Sequence, residues 1–231
     1  MAGMTRREAA RALAAAGSLA LPGPARPQTT GPDLPADAAL LVIDVQRAYT
    51  MESSPLYCED CGPTIARINE LIELFEARSR PVLYIRHLHR ADGSDLGRMF
   101  DYLGAPAADF DFKQGSEAVE YDSRLRRPAS APEILKTRYS SFVGTTLEES
   151  LSAQAVRTVA ICGFMTNFCC ESAARDAHDR DYFVDFLADA TGTPGTETIR
   201  EPEMRRIVEE LLGAGFARVH QTSAYLQAAR G

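Results

Sequence analysis

The sequence predicts an α/β fold: a three-layer, doubly wound, mainly parallel β-sheet with helices on both faces. Apolar runs of strand length alternate along the chain with amphipathic stretches of ten or more residues, a pattern typical of right-handed β-α-β units. The runs are continuously apolar, as expected of strands buried on both faces. With 45% hydrophobic and 25% charged residues among 231, the composition is that of an ordinary globular domain.

The first strand is predicted over residues 38–43, an unbroken apolar run that ends at Asp44. A helix follows over residues 63–78, where apolar residues form one stripe behind Pro63 at a favourable first position. Residues 90–131 are rich in Gly, Asp, Pro and aromatic residues, and we expect them to form a rim over a site. The other predicted elements are strands at 81–85, 132–136, 156–162, 182–187 and 217–221, and helices at 144–152, 167–179 and 201–213.

Residues 1–32 differ from the rest and are excluded from the fold, which leaves a domain over residues 33–231. Arg6-Arg7 precede a weakly apolar Ala/Leu run and then Pro22, which resembles a twin-arginine export signal. This pattern predicts an exported or periplasmic protein. An organelle transit peptide and a disordered arm without an address, which would leave the protein cytoplasmic, are the alternatives.

The net charge of −7 and the pI near 5.2 leave no basic surface of the kind that binds nucleic acid or anionic membranes. No run approaches the roughly 18 apolar residues that a membrane span needs. We therefore expect neither nucleic acid nor membrane as a partner, and a small neutral or weakly charged molecule as the ligand.

The five cysteines lie at positions 58, 61, 162, 169 and 170. An odd count at uneven spacing does not indicate a disulfide framework. Cys58 and Cys61 have the spacing of a redox or zinc motif, but a zinc site needs further ligands, and the two acidic residues between the thiols disfavour a reactive thiolate. A loop pair without a chemical task, which could close a local disulfide, is the favoured interpretation, with a redox role as the alternative.

Several chemically active residues follow the predicted strands. Asp44 ends the first strand, residues 86–89 end the second, Lys136 ends the third, and Cys169 lies in the loop after the fourth. Parallel sheets bind ligands beyond the carboxyl ends of their strands, so these side chains should meet at one edge.

Their chemistry points to nucleophilic catalysis. At the first turn of a helix, the dipole and the free N–H groups would favour a Cys169 thiolate and could hold an oxyanion. Asp44 would act as the base and Lys136 as the cation that orients it. Taken singly, each residue has a structural interpretation: a buried core cysteine, a capping aspartate and a surface lysine.

Three segments carry a resemblance to a known family: residues 41–46 (LVIDVQ), 136–145 (KTRYSSFVGT) and 163–177 (GFMTNFCCESAARDA). They resemble motifs of the isochorismatase-like hydrolases, a family that includes nicotinamidase, N-carbamoylsarcosine amidohydrolase, ureidoacrylate amidohydrolase and biuret hydrolase. The resemblance covers about residues 38–226, with the motifs in the family's order and spacing.

The resemblance implies a cysteine hydrolase that cleaves a small amide or ureide. Cys169 would attack the carbonyl to form a thioester, Asp44 would shuttle the proton, and Lys136 would stabilise that shuttle. The oxyanion would rest on the backbone N–H groups of Cys169 and Thr166, with the Met165–Thr166 peptide in the cis form. Members of the family are commonly oligomers, so a homo-oligomer is expected.

Nicotinamidases carry a metal-binding Asp-x-His followed by a further His, and no such motif follows Tyr49. His87 and His89 resemble a remnant at most, so we predict no metal and no cofactor. Tyr49, His87, Phe142 and Phe168 are predicted to shape the substrate pocket, although either Phe could instead pack in the core. His87 and His89 would face the same way on a strand and line one wall, or lie in a loop without a task.

Three other functions remain open at this point. The first is isochorismatase-type hydrolysis of a vinyl ether, which uses Asp44 and needs no thiol. The second is a non-catalytic binding module, and the third is a redox protein acting through Cys58 and Cys61. The presence of Cys169 favours amide cleavage over the first, and the complete set of three residues argues against the second.

Overall fold

A computed structural model describes residues 34–101 and 112–230 of the chain. The prediction of an export signal or arm at residues 1–32 lies outside the described residues. So does part of the predicted rim, residues 102–111.

Six parallel strands form the central sheet of the described chain: β1 (Ala38–Ile43), β2 (Val82–His87), β3 (Glu133–Lys136), β4 (Thr158–Phe164), β5 (Phe183–Gly192) and β6 (Arg218–His220). Their order is β3-β2-β1-β4-β5-β6, and every neighbouring pair is parallel. The predicted α/β fold with a parallel sheet is therefore confirmed. The strands differ from the predicted ones mainly at their ends.

The helices are α1 (Cys61–Ala77), α2 (Leu147–Ala153), α3 (Glu171–His178), α4 (Glu201–Gly213) and α5 (Thr222–Arg230). Helix α1 begins two residues before Pro63, which is tolerated because the first N–H groups of a helix have no intrahelical acceptor. The sequence pattern does not predict α5, because its buried apolar residues in the described part of the chain are only Tyr225, Leu226 and Ala229.

Alternate residues of β1 pack into two separate hydrophobic cores. Leu40 and Val42 face the core that contains α1, whereas Leu41 and Ile43 face the core that contains α3. All six residues of β1 are completely buried, which explains why the strand is an unbroken apolar run.

The chain leaves β1 toward β2 on one side and returns to β4 on the other, so the ends of β1 and β4 form the switch point of the sheet. Gly163 keeps these strands close: its φ is +123°, and a Cβ there would lie 1.9 Å from the Ile43 carbonyl oxygen. Asp44 leaves β1 with a φ of +50°, and its N–H donates to the Ile85 carbonyl at 3.0 Å.

None of the helices in the described residues is both long enough and apolar enough to cross a membrane.

Candidate active site

Asp44, Lys136 and Cys169 meet at the carboxyl edge of the sheet. Lys136 Nζ lies 2.8 Å from Asp44 Oδ2 and donates to Cys169 Sγ at 3.2 Å. It also donates to the Arg138 carbonyl oxygen at 3.0 Å. A lysine ammonium has three N–H donors, so each of them has a partner here. All three side chains are buried, and this network fixes their relative positions.

The sheet explains how residues so far apart in sequence meet. Lys136 ends β3 opposite His87 of β2, and Asp44 follows β1, the next strand. Two strand spacings amount to about 10 Å, a gap that a long side chain such as lysine bridges.

Cys169 lies in a wide helical turn, Thr166–Cys170, that joins β4 to α3. The Cys170 N–H donates to the Met165 carbonyl oxygen, five residues earlier, at 3.1 Å. Turns of this spacing are frequent at functional sites. The α-helix itself begins only at Glu171, whereas the sequence predicted a helix from residue 167.

The predicted position of the cis peptide is wrong by one residue. The described chain has a cis bond between Phe164 and Met165, rather than between Met165 and Thr166. The strand continues to Phe164, and Met165 already has the extended conformation of the residue before the helical turn. The chain therefore changes direction one peptide earlier than expected.

Burial dominates the ionisation of the three groups. Burial raises the pKa of the Cys169 thiol to about 12, and the Lys136 ammonium only partly offsets this. Burial also raises the pKa of the Asp44 carboxyl, again partly offset by Lys136. For Lys136, burial alone would lower the pKa, but Asp44 and Cys169 outweigh it and raise the pKa. The helix dipole by itself favours a Cys169 thiolate, but burial outweighs it and favours the neutral thiol, which agrees with the role of base expected for Asp44.

A cavity of about 400 Å³ opens beside Cys169. This volume suits a small molecule. Much of its wall is aromatic, and the residues that line it are Tyr49, Pro55, Leu56, His87, Phe100, Phe112, Tyr139, Met165, Phe168, Cys169, Pro194, Gly195, Thr196 and Glu197.

Three of the four predicted pocket residues, Tyr49, His87 and Phe168, lie in this wall. Phe142 does not, and its prediction is wrong. Its ring is buried in the core around α2 and α3, with its centroid 5.9 Å from that of Tyr182. Neither the pocket nor the core could be assigned to Phe142 from the sequence, because it lies in a loop without strand or helix periodicity.

Gln46 is a residue of the site that the sequence did not single out. Its Nε2 donates to the carbonyl oxygens of His87 and Val119, each at 2.9 Å, and its Oε1 accepts from the His87 N–H at 2.9 Å. A buried polar side chain needs such partners. The available signal was a glutamine three residues beyond the buried strand β1, and its hydrogen bonds hold the end of β2.

His87 and His89 form a buried pair, each 1% exposed. Their Nε2 atoms are 3.0 Å apart, and His89 Nδ1 lies 3.2 Å from Asp95 Oδ1. The His87 ring stacks on Phe112 with a centroid distance of 4.6 Å. His87 therefore lies in the wall of the cavity, as one of the two interpretations predicted, whereas His89 is not among the lining residues and contacts the His87 ring instead.

Asp44, His87 and Cys169 offer the donor atoms of a conceivable metal site, all within 4.8 Å of one another. These are zinc-binding residue types. However, the Lys136 ammonium already lies against Asp44 and Cys169, so a metal ion there would meet a like charge. The absence of a metal stays a prediction.

Cys58 and Cys61 are both free and buried. The expected local disulfide is therefore not formed in the structure, where Cys61 begins α1 and accepts a hydrogen bond from Arg124 Nη2 at 3.6 Å. Burial and the neighbouring Cys61 raise the pKa of the Cys58 thiol, which disfavours a reactive thiolate.

Comparison with known proteins agrees with this geometry. A family model described as an isochorismatase domain matches residues 38–222. Nicotinamidase 3 of Arabidopsis thaliana is 32% identical over 158 residues, covering 68% of this chain and 73% of that protein. The ureidoacrylate amidohydrolase RutB of Methylobacterium radiotolerans is 30% identical over 212 residues, covering 80% and 78%. A crystal structure of a cysteine hydrolase from Pseudomonas syringae pv. phaseolicola 1448A has a TM-score of 0.78 and 29% identity, covering 89% of this chain and 98% of that one. The match runs from β1 to the start of α5, and the chain belongs to the isochorismatase family.

Proposed function

We propose that the protein is a cysteine-dependent hydrolase that cleaves the C–N bond of a small amide or ureide. The observation that carries the proposal is the buried Lys136 ammonium, in contact with both Asp44 and Cys169 beside a small-molecule cavity. Relatives named as a nicotinamidase and a ureidoacrylate amidohydrolase support C–N cleavage.

In the proposed first half-reaction, Cys169 Sγ attacks the substrate carbonyl while its proton passes to Asp44. The raised pKa of the Asp44 carboxyl makes it a better base than an ordinary aspartate, and it lies close to the thiol. Asp44 then donates the proton to the leaving nitrogen, the C–N bond breaks, and an acyl thioester of Cys169 remains.

In the second half-reaction, Asp44 takes a proton from a water molecule, whose oxygen attacks the thioester carbonyl. The carboxylic acid leaves and the proton returns to Cys169. Lys136 keeps its positive charge throughout and holds Asp44 in position, since the Arg138 carbonyl fixes the ammonium from a third side.

We propose the backbone N–H groups of Cys169 and Thr166 as the oxyanion hole. Support comes from their place in the wide turn before α3, where N–H groups and the helix dipole favour negative charge.

The cavity favours an uncharged substrate with an apolar or aromatic part. Among its described lining residues, Glu197 is the only charged one: none is a lysine or arginine, and His87 is neutral because burial lowers its pKa. A substrate carboxylate would be desolvated there without a counter-ion. We therefore expect neutral primary amides to be hydrolysed faster than anionic ureides such as ureidoacrylate.

The contact of Lys136 with Cys169 Sγ argues against the vinyl-ether alternative, which assigns no task to the thiol. It equally argues against a non-catalytic module, because a buried charged cluster is costly and serves no purpose in simple packing.

The test is ammonia release from a panel of neutral amides and ureides, with the wild type beside Cys169→Ala. Cys170→Ala is the matched control, because Cys170 is adjacent and fully buried but does not line the cavity. We expect loss of activity only for Cys169→Ala, and an acyl adduct on Cys169 by denaturing mass spectrometry. Ammonia release that survives in Cys169→Ala would refute the covalent mechanism, and loss only in Cys58→Ala would favour redox control.

A further inference from the structure

His87 has a buried ring nitrogen that meets no hydrogen-bonding partner in the part of the chain that the structure describes. Its Nδ1 has no hydrogen-bonding partner within residues 34–101 and 112–230, although the side chain lines the cavity next to Cys169. A ring nitrogen of His87 lies within 4.8 Å of both an Asp44 oxygen and Cys169 Sγ. Buried polar atoms are normally paired, so an unpaired one beside a cavity points to a ligand.

The network behind His87 determines which of its nitrogens carries the hydrogen. Asp95 accepts the backbone N–H of Arg90 through both carboxylate oxygens, at 3.1 and 3.2 Å, and this fixes its position. A carboxylate only accepts hydrogen bonds, so the hydrogen of neutral His89 lies on Nδ1.

The tautomer of His89 determines that of His87. With its hydrogen on Nδ1, His89 presents a bare Nε2, so His87 Nε2, 3.0 Å away, must be the donor. His87 Nδ1 is then bare and can only accept. Both rings are neutral because burial lowers their pKa, for His87 with the help of the Lys136 charge.

We propose that His87 is a specificity-determining residue whose Nδ1 accepts a hydrogen bond from a substrate N–H. His89 and Asp95 are positioning residues that keep His87 in this tautomer. The inference rests on the proposed amide hydrolysis and adds the group that recognises the nitrogen side of the scissile bond.

A second acceptor completes the subsite. Both Asp44 oxygens lack a hydrogen-bonding partner among the described residues, but Oδ2 lies 2.8 Å from the Lys136 ammonium, so Oδ1 is the more available acceptor. The two N–H groups of a primary amide match these two acceptors. An ester of the same acid has no N–H group to donate to them, and an N-methyl amide has only one. The site therefore selects primary amides and unsubstituted ureides.

The activity test compares a primary amide that the enzyme accepts with the methyl ester of the same acid. His87→Phe keeps a ring to stack on Phe112 but removes the acceptor. We expect kcat/KM for the amide to fall about ten- to a hundredfold, the effect of one lost hydrogen bond in a buried site, with the ester changed by less than about threefold. His87→Gln, which offers an acceptor oxygen, should recover part of the amide activity. Equal losses for amide and ester would overturn the proposal.

A second measurement does not depend on turnover. The chain has four histidines, so ¹⁵N spectra of the ring nitrogens can be assigned with His87→Phe and His89→Phe. We expect a bare Nδ1 on His87 and a protonated Nδ1 on His89, and a loss of this preference in Asp95→Leu. A hydrogen on His87 Nδ1 would overturn the proposal even in an active enzyme. If the spectra are as expected but the protein hydrolyses no amide, the proposed function is refuted, and the substrate assigned to His87 with it.

Discussion

The buried pair of Lys136 and Asp44 allows a quantitative prediction. Nζ and Oδ2 are 2.8 Å apart, and both side chains are 0% exposed. At an effective dielectric constant of about 20, unit charges at this distance attract by about 6 kcal/mol. Removing each ion from water costs several kcal/mol, so the intact pair contributes little net stability. Removing only one of the two charges destabilises the protein, because the other charge then stays buried without a counter-ion.

Lys136→Met should therefore destabilise the protein strongly. Methionine keeps an unbranched side chain but leaves Asp44 buried without a counter-charge, and we expect the free energy of unfolding to fall by about 3–5 kcal/mol at pH 7. The double variant Asp44→Asn/Lys136→Met removes both charges and should recover most of this loss. Leu135→Met is the control, because this exposed neighbour should change stability by less than about 0.5 kcal/mol.

The loss should depend on pH with a definite sign. Without Lys136, burial raises the folded-state pKa of Asp44 further above its unfolded value of about 3.9, so the folded state binds the proton more tightly. The difference in the free energy of unfolding between Lys136→Met and the wild type should be small near pH 4 and should widen as the pH rises toward neutral. Urea unfolding of the four proteins across this range measures it. A gap that does not change with pH, or a double variant as unstable as Lys136→Met, would refute the electrostatic reasoning.

Two further predictions concern the backbone and the reaction. Gly163→Ala should sharply lower the melting temperature or prevent folding, because the added Cβ would overlap the Ile43 carbonyl. The control is Gly62→Ala in helix α1, where the nearest atom to the added Cβ is Arg124 Nη1 at 3.8 Å. This variant should raise the free energy of unfolding by up to about 1 kcal/mol. Equal thermal stability of the Gly163→Ala variant and the wild type would contradict the β1–β4 register. For the reaction, kcat/KM should rise with pH through the raised pKa of Asp44, because only the carboxylate can take the thiol proton. A profile that stays flat through neutral pH and rises only at strongly alkaline pH, as the raised pKa of the Cys169 thiol would require, would show that a preformed thiolate is needed instead.

The position of the site could be predicted because it depends mainly on topology. Unbroken apolar runs identify buried parallel strands, and the carboxyl ends of such strands share one edge. Asp44, Lys136 and Cys169 each follow a strand, so their meeting required only the strand ends and not the side-chain conformations. This is also why errors of one or two residues in the strand limits left the prediction of the site intact.

Features that depend on side-chain direction or burial were harder to predict. Phe112 lines the cavity and Phe142 packs in the core, yet both are single aromatic residues outside regular elements. Gln46 and His87 are 41 residues apart, and their hydrogen bonds follow from the detailed register. The helix start is a local signal that favours a thiolate at Cys169, whereas burial by distant parts of the chain dominates the pKa of the thiol and raises it.

The ionisation states have a consequence for how the proposed reaction proceeds in a dry site. At rest, a positive Lys136, a negative Asp44 and a neutral Cys169 thiol have no net charge, whereas a thiolate beside a charged Asp44 would leave a net negative charge in a buried site, which is costly. If the proton moves to Asp44 as the sulfur attacks, the negative charge passes from the carboxylate to the substrate oxygen and the total charge stays the same. The thiol therefore needs no low pKa of its own. It needs a base within reach and backbone N–H groups at the place where the negative charge arrives, because these are the groups that stabilise the transition state without charging the resting site.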